Sequence, residues 1–234
     1  MASTFTALKA FVKNASGYLR EARHAEPGHS QAIRARFARQ FLKDVGLECT
    51  GPTPEDVASC SPCIFVANHS SYMDAVIICA FFEGDVRILA KDSLFKAPYL
   101  GKILRLENHI PVHRGKNASA RNTSIRQDIQ KAISEGASVF FFPEGTRTVT
   151  GKLGKFKHGA FYNAIQTGVP IVPVVIRGTF EAMPKNSLKI KNGACSMTLL
   201  PPIPLPDESI GDETARVQSL ADQAFCAIQT ELDK

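Results

Sequence analysis

Cys63-Ile-Phe-Val-Ala-Asn-His-Ser-Ser-Tyr-Met-Asp-Ala-Val-Ile-Ile-Cys-Ala-Phe-Phe82 is the stretch that decides the fold. The five apolar residues Cys63–Ala67 read as a strand, and Ala75–Phe82, the longest apolar run in the chain, reads as the body of a helix over 73–83. Between them lies a polar turn, Asn68–Asp74. His69 therefore sits where a strand hands over to a helix, at the carboxyl edge of a sheet, where ligands collect in open α/β folds. The same alternation continues outward. Strands are predicted at Val86–Ala90, His109–Val112, Ser138–Phe142, Ile171–Ile176 and Ser196–Leu200. Helical pieces are predicted up to Leu106, then over 117–135, Phe156–Gln166 and 213–232. Strands alternating with helices predict a single-domain αβ sandwich with a mostly parallel central sheet. Residues 49–62, with Thr-Gly-Pro-Thr-Pro and Ser-Pro, read as a loop, and Pro201–Pro206 as a linker.

Upstream, residues 4–23 repeat Phe5, Leu8, Phe11, Val12, Ala15 and Leu19 at helical spacing, and Glu26-Pro-Gly-His29 breaks the pattern. Residues 31–45 carry Ile33, Phe37, Phe41 and Val45 on one face, with Arg34, Arg36, Arg39 and Lys43 on the others. Two basic amphipathic helices suit an interfacial membrane anchor, and equally suit packing on a neighbouring domain. The expected organisation is residues 1–48 as amphipathic helices and 49–234 as the domain that carries the chemistry.

Of the 234 residues 44% are hydrophobic, which suits a globular chain, and the net charge of +6 favours an anionic partner: a phospholipid surface, a phosphorylated substrate or nucleic acid. No apolar run reaches the ~18 residues of a spanning helix. The first 20 residues hold Lys9, Lys13 and Arg20, no acid and no apolar block, so they do not read as a secretory signal, although a mitochondrial transit peptide has that composition too. Six irregularly spaced cysteines fit free thiols in a reducing compartment. Cys60 and Cys63 form a lone CxxC without the second ligand pair a zinc site needs. No helix-turn-helix, zinc finger or ribonucleoprotein motif supports nucleic-acid binding.

Two constellations carry chemistry. In the first, Asp74 can fold back on His69, fix its tautomer and leave the other ring nitrogen to take a proton from an alcohol. A His and an Asp at this spacing also suit a hydrogen-bonded structural histidine. No serine elbow of the GxSxG type is present, so the pair can act on a substrate hydroxyl directly. In the second, the buried run Phe140-Phe-Phe ends in Pro143-Glu-Gly-Thr-Arg147. Gly145 permits close backbone approach, Thr146 adds a hydroxyl and Arg147 a bidentate fork, which together resemble an oxyanion-binding turn. Arg114, after Ile110-Pro-Val-His, is a candidate second phosphate clamp. Val169-Pro-Ile-Val-Pro-Val174 has two prolines in a strand, expected at an edge or bulge, where they would shape a pocket wall.

Asn68-His-x4-Asp74, Arg114, Phe142-Pro-Glu-Gly-Thr-Arg147 and Val169–Val174 stand in the order of the four motifs of the glycerolipid acyltransferase family. The chain most resembles its bacterial 1-acylglycerol-3-phosphate acyltransferase branch. Gly151–Phe161 resembles the segment that follows the third motif, and the resemblance spans about residues 60–180. It implies that His69 is the general base and Asp74 its orienting partner. It implies that Arg114, Glu144, Gly145, Thr146 and Arg147 hold the acceptor's phosphate. It implies an acyl-CoA or acyl carrier protein donor as co-substrate, a lysophospholipid acceptor and neither metal nor other cofactor. Two departures stand out: Asn108-His-Ile precedes the second motif where a glycine and an aromatic residue are usual, and the long apolar anchor helix of many relatives is missing. Attachment is therefore expected to be peripheral, on the cytoplasmic face of the cell membrane. Rival readings are transfer to another lysolipid such as lyso-ornithine lipid, a thioesterase that uses water, and a non-catalytic lipid-binding module.

Overall fold

The computed structural model describes residues 3–26, 29–113 and 124–234. Two helices open the chain, α1 (Thr4–Ala22) and α2 (Ser30–Asp44). There follow β1 (Leu47–Thr50), α3 (Pro54–Ser59), β2 (Ile64–Ala67), α4 (Met73–Phe81) and β3 (Val86–Lys91). A 3-10 turn (Asp92–Lys96) leads to α5 (Leu100–Leu106) and β4 (Ile110–Val112). Then come α6 (Ile125–Ser134), β5 (Ser138–Phe141), α7 (Gly159–Thr167), β6 (Ile171–Arg177), α8 (Thr179–Ala182), β7 (Gly193–Leu199) and α9 (Glu213–Leu232). The strands form one sheet in the order β1-β7-β6-β2-β5-β3-β4, parallel throughout except for the β6–β7 pair. The predicted α/β class and mostly parallel sheet are what the chain adopts.

Every residue of β2 and β5 is buried, as a sheet covered on both faces requires. Successive side chains alternate between two cores. Phe65 and Ala67 face one that holds Phe41, Leu42, Ile77, Phe82 and Phe140, where α2 and α4 cover the sheet. Ile64 and Val66 face the other, with Ile129, Phe161, Leu220 and Ile228 from α6, α7 and α9. Phe65, Phe82 and Phe140 interlock, with centroids 4.8 Å apart for Phe65–Phe82 and 5.6 Å for Phe82–Phe140, both edge to face.

Several sequence expectations need correction. Residues 49–62 are not all loop: β1 pairs in parallel with β7 at the edge of the sheet, and α3 opens on a capping box between Thr53 and Asp56 with Pro54 in its first turn. Pro54 starts a helix here because that position needs no N–H donor. β1 is four residues long with only its first buried, too weak an apolar signal to register. The helix expected over 117–135 is described from Ile125 onward, residues 114–123 lying outside the described residues. Pro173 is in an interior strand, not at an edge. It is tolerated because β6–β7 pairing ends at Val174↔Leu199, so its nitrogen meets the end of the ladder.

The division between residues 48 and 49 falls inside β1, and α1 and α2 contribute Ala10, Phe41 and Leu42 to the core shared with the sheet, with Val45 just beyond α2. Arg34, read as lying off the apolar face of its helix, is 5% exposed; it pairs with the buried Glu107 and also donates to the Phe82 carbonyl, while Tyr18 donates to Glu107 from α1. Cys63 is buried, which pushes its thiol up to about 12, and all six cysteines are free.

His109 is buried and its Nδ1 accepts the Ile88 N–H at 3.1 Å, so it must be neutral there. Burial, with Arg34 nearby, lowers its pKa to about 3. A folded-state value below the unfolded one contributes stability that is intact above about pH 6.5 and is lost as the pH falls from there toward 3. Stability is expected to drop by about 2 kcal/mol from this group between pH 7 and 5. The check is urea unfolding at both pH values against His109→Gln, whose stability should change less over that interval.

Candidate active site

The site is assembled at the carboxyl edge of β2, β5 and β6. Asn68, the first residue beyond β2, makes a reciprocal pair with Ile176 of β6: its amide donates to the carbonyl at 2.8 Å, and its Oδ1 accepts the N–H at 2.8 Å. That side chain continues the ladder for one more step and leaves the backbone free to turn at His69. Asp74, in the first turn of α4, is fully buried. Its Oδ2 accepts from His69 Nδ1 at 2.8 Å and from the Ser70 and Ser71 N–H groups at 2.7 and 2.9 Å. The helix start favours the negative charge as well. The sequence-predicted pair is thus in contact, and the imidazole presents Nε2 outward with the side chain 17% exposed. Phe142 stacks on the ring at 3.9 Å between centroids, 20° from parallel.

The Pro143–Arg147 turn packs against His69 from the other side. The Gly145 N–H donates to the Phe142 carbonyl at 2.9 Å and closes the turn, with Gly145 at φ +70°, a conformation glycine adopts without strain. Glu144 differs from expectation. Its carboxylate is 7% exposed, Oε1 accepting the His69 N–H at 2.7 Å and Oε2 the Gly154 N–H at 2.9 Å. A Cβ on residue 154 would come within 2.5 Å of Oε2, so a side chain there would force the carboxylate to shift. Both oxygens are committed to backbone, and a carboxylate would repel a phosphate, so Glu144 is a strut between loops. Burial raises its pKa, and the two N–H groups pull it back.

Arg147 lies with its guanidinium 3.5 Å from the Tyr72 ring centroid, and its Nη1 donates to the Lys185 carbonyl at 3.3 Å. Thr146 is exposed and accepts from Lys185 Nζ at 3.1 Å. The structure therefore brings His69, Asp74, Gly145, Thr146 and Arg147 to one edge, whereas Arg114 lies outside the described residues. Sequence reasoning missed Tyr72 and Lys185. Tyr72 was inside the quoted turn, but the platform it offers Arg147 needed the fold to appear. Lys185 follows β6 at the same carboxyl edge, the one positional signal that could have found it.

The acyltransferase family profile matches residues 49–177, more than half of the chain. The chain belongs to the acyltransferase family, as its motif order had indicated. It is 37% identical over 135 residues to the 1-acyl-sn-glycerol-3-phosphate acyltransferase BAT2, chloroplastic, of Brassica napus, across 58% of this chain and 38% of that protein. It is 29% identical over 210 residues to the 1-acyl-sn-glycerol-3-phosphate acyltransferase of Escherichia coli (strain K12), across 88% of this chain and 84% of that one. The chain spans between 37% and 46% of the length of three plant relatives it matches. The crystal structure of the 1-acyl-sn-glycerophosphate acyltransferase PlsC from Thermotoga maritima has the same fold, with a TM-score of 0.78 at 21% identity over 98% of this chain and 92% of that one.

Removing the Glu144 strut leaves two backbone donors unpaired next to His69. Glu144→Ala is expected to destabilise the protein by about 2–4 kcal/mol. Glu144→Gln, which keeps one acceptor but sets an amide against the Gly154 N–H, should fall between it and wild type. Denaturant unfolding of the three proteins gives the order; a loss under about 1 kcal/mol for the alanine variant contradicts the strut.

Proposed function

We propose that this protein transfers a fatty acyl group from acyl-CoA or acyl carrier protein to the free hydroxyl of 1-acyl-sn-glycerol-3-phosphate, giving phosphatidic acid. The observation that carries this reading is the Asp74–His69 contact beside the Arg147 turn: a poised base next to anion-binding groups. Asp74 holds the proton on Nδ1 and leaves Nε2 as the acceptor. Nε2 takes the proton of the lysolipid hydroxyl as its oxygen attacks the thioester carbonyl. The tetrahedral adduct collapses, the carbon–sulfur bond breaks, and the imidazolium returns the proton to the leaving thiolate. One ester forms, one thioester is lost, and no covalent enzyme intermediate is needed. Arg147, Thr146 and the turn at Gly145, with Arg114, hold the headgroup phosphate and so fix the hydroxyl against the base.

The protein works at the membrane surface, attached peripherally on the inner face of the cell membrane. Support comes from α1, where Phe5 and Leu8 are 78% and 59% exposed. Thr4 Oγ1 donates to the Leu188 carbonyl at 3.3 Å, which sets the exposed Leu188, in the loop that holds Lys185, beside the start of α1. Among the described residues no helix is long and apolar enough to cross a membrane. The free cysteines fit the reducing side.

The test of the chemistry is thiol release from a long-chain acyl-CoA, with and without lysophosphatidic acid. Release should require the acceptor and fall by about 100- to 10,000-fold in His69→Ala. Release that ignores the acceptor identifies a thioesterase instead, and a fully active His69→Ala removes His69 as the base. For attachment, the double variant Phe5→Ser/Leu8→Ser should cut co-sedimentation with anionic vesicles by about tenfold. Unchanged sedimentation takes α1 out of the account.

A further inference from the structure

The loop after α8 brings one more cation to the Pro143–Arg147 turn. Lys185 Nζ lies 3.1 Å from Thr146 Oγ1, and the Lys185 carbonyl accepts from Arg147 Nη1 at 3.3 Å, so residue 185 meets the turn through both side chain and backbone. The same loop is fastened to the turn that carries His69. Ser71 and Pro184 form a β-bridge, and Ser71 Oγ donates to the Met183 carbonyl at 2.7 Å. Lys185 is therefore held in fixed relation to the base. A third cation is close by: Lys157 Nζ lies 2.7 Å from where a Cβ on Gly145 would be.

Arg147, Lys157 and Lys185 thus converge on one turn, and among the described residues none of the three has a carboxylate partner. The acid of that turn, Glu144, has both oxygens committed to backbone N–H groups. Three like charges without a counter-ion repel one another, and the ligand that relieves this best is the one with the most charge at a single phosphorus. A phosphomonoester carries about −1.5 to −2 at neutral pH and three terminal oxygens. A phosphodiester carries a single charge and two such oxygens. Arg147, with its planar fork, meets the pair of oxygens that both have in common. The additional oxygen needs a further donor, and a flexible ammonium suits it.

We propose that Lys185 makes the site selective for a phosphomonoester headgroup over a phosphodiester one. This rests on the headgroup role given to the Arg147 turn, and the experiment separates the two. Acceptor KM for lysophosphatidic acid, donor KM for acyl-CoA, and the competitive inhibition constant of the diester 1-acyl-glycerophosphoglycerol are measured in wild type, Lys185→Gln, Lys185→Arg and Arg147→Gln. Wild type should prefer the monoester. Lys185→Gln should raise the monoester KM about tenfold and leave the donor KM and the diester constant within about twofold. Lys185→Arg should recover most of the loss. Arg147→Gln should weaken monoester and diester alike. An unchanged monoester KM in Lys185→Gln, or donor, monoester and diester constants that all shift together, overturns the role of Lys185. Should Arg147→Gln leave both headgroups untouched, the headgroup reading fails beneath it.

Discussion

One carboxylate oxygen organises the site. Asp74 Oδ2 accepts from the His69 ring and from two successive backbone N–H groups. It does so from the start of a helix whose other face is packed in the core. The two backbone donors cap the turn and the ring donor sets the imidazole, so the interaction that starts α4 is the same one that aims His69. A histidine oriented by a surface carboxylate would sample several rotamers; here the partner is fully buried and cannot turn away. The rest of the site is attached to this point. Glu144 grips the His69 N–H, the Thr148 N–H donates to the His69 carbonyl at 2.9 Å, and Asn68 ties the preceding residue to β6. The backbone N–H and carbonyl of His69 are thus both held by the one loop that follows β5.

Burial on both sheet faces makes this precision possible. From Phe65 the aromatic contacts run through Phe82 and Phe140 to Phe142, and Phe142 stacks on the imidazole. Phe140 and Phe142 point the same way because they are two apart on an extended segment. The His69 ring is therefore the last member of a packed aromatic row that starts in the core. Its apolar neighbour also keeps water from one face of the imidazole.

How much of this could be read in the amino acids divides along physical lines. The strand–turn–helix around His69 was legible because apolar runs and a polar turn alternate at lengths that suit nothing else. The His69–Asp74 contact was legible as a possibility, and the family resemblance made it specific. β1 was not legible, since a four-residue edge strand with one buried residue has almost no periodicity. That the Glu144 carboxylate accepts two backbone N–H groups was not legible, because a motif gives the identity of a residue and not the direction of its side chain. The burial of Arg34 was not legible for a related reason: helical periodicity places it off the apolar face, and only the packing of α2 against the chain around Phe82 and Glu107 turns it inward. Lys185 is 38 residues from Arg147 in sequence, and the contact depends on the order of strands in the sheet.

The Arg34–Glu107–Tyr18 cluster bears on where the catalytic unit begins. Glu107 is buried between α5 and β4, and its two partners come from α2 and α1. A truncated chain that starts at residue 49 removes both partners at once and leaves Glu107 facing a gap where the helices had been. It also cuts β1 in half and strips the core of Phe41 and Leu42. An unpaired buried carboxylate is costly, so such a fragment would take up water there or rearrange. The helical pair is thus one body with the sheet, and whatever surface it rests on, the catalytic edge is carried with it at a fixed angle.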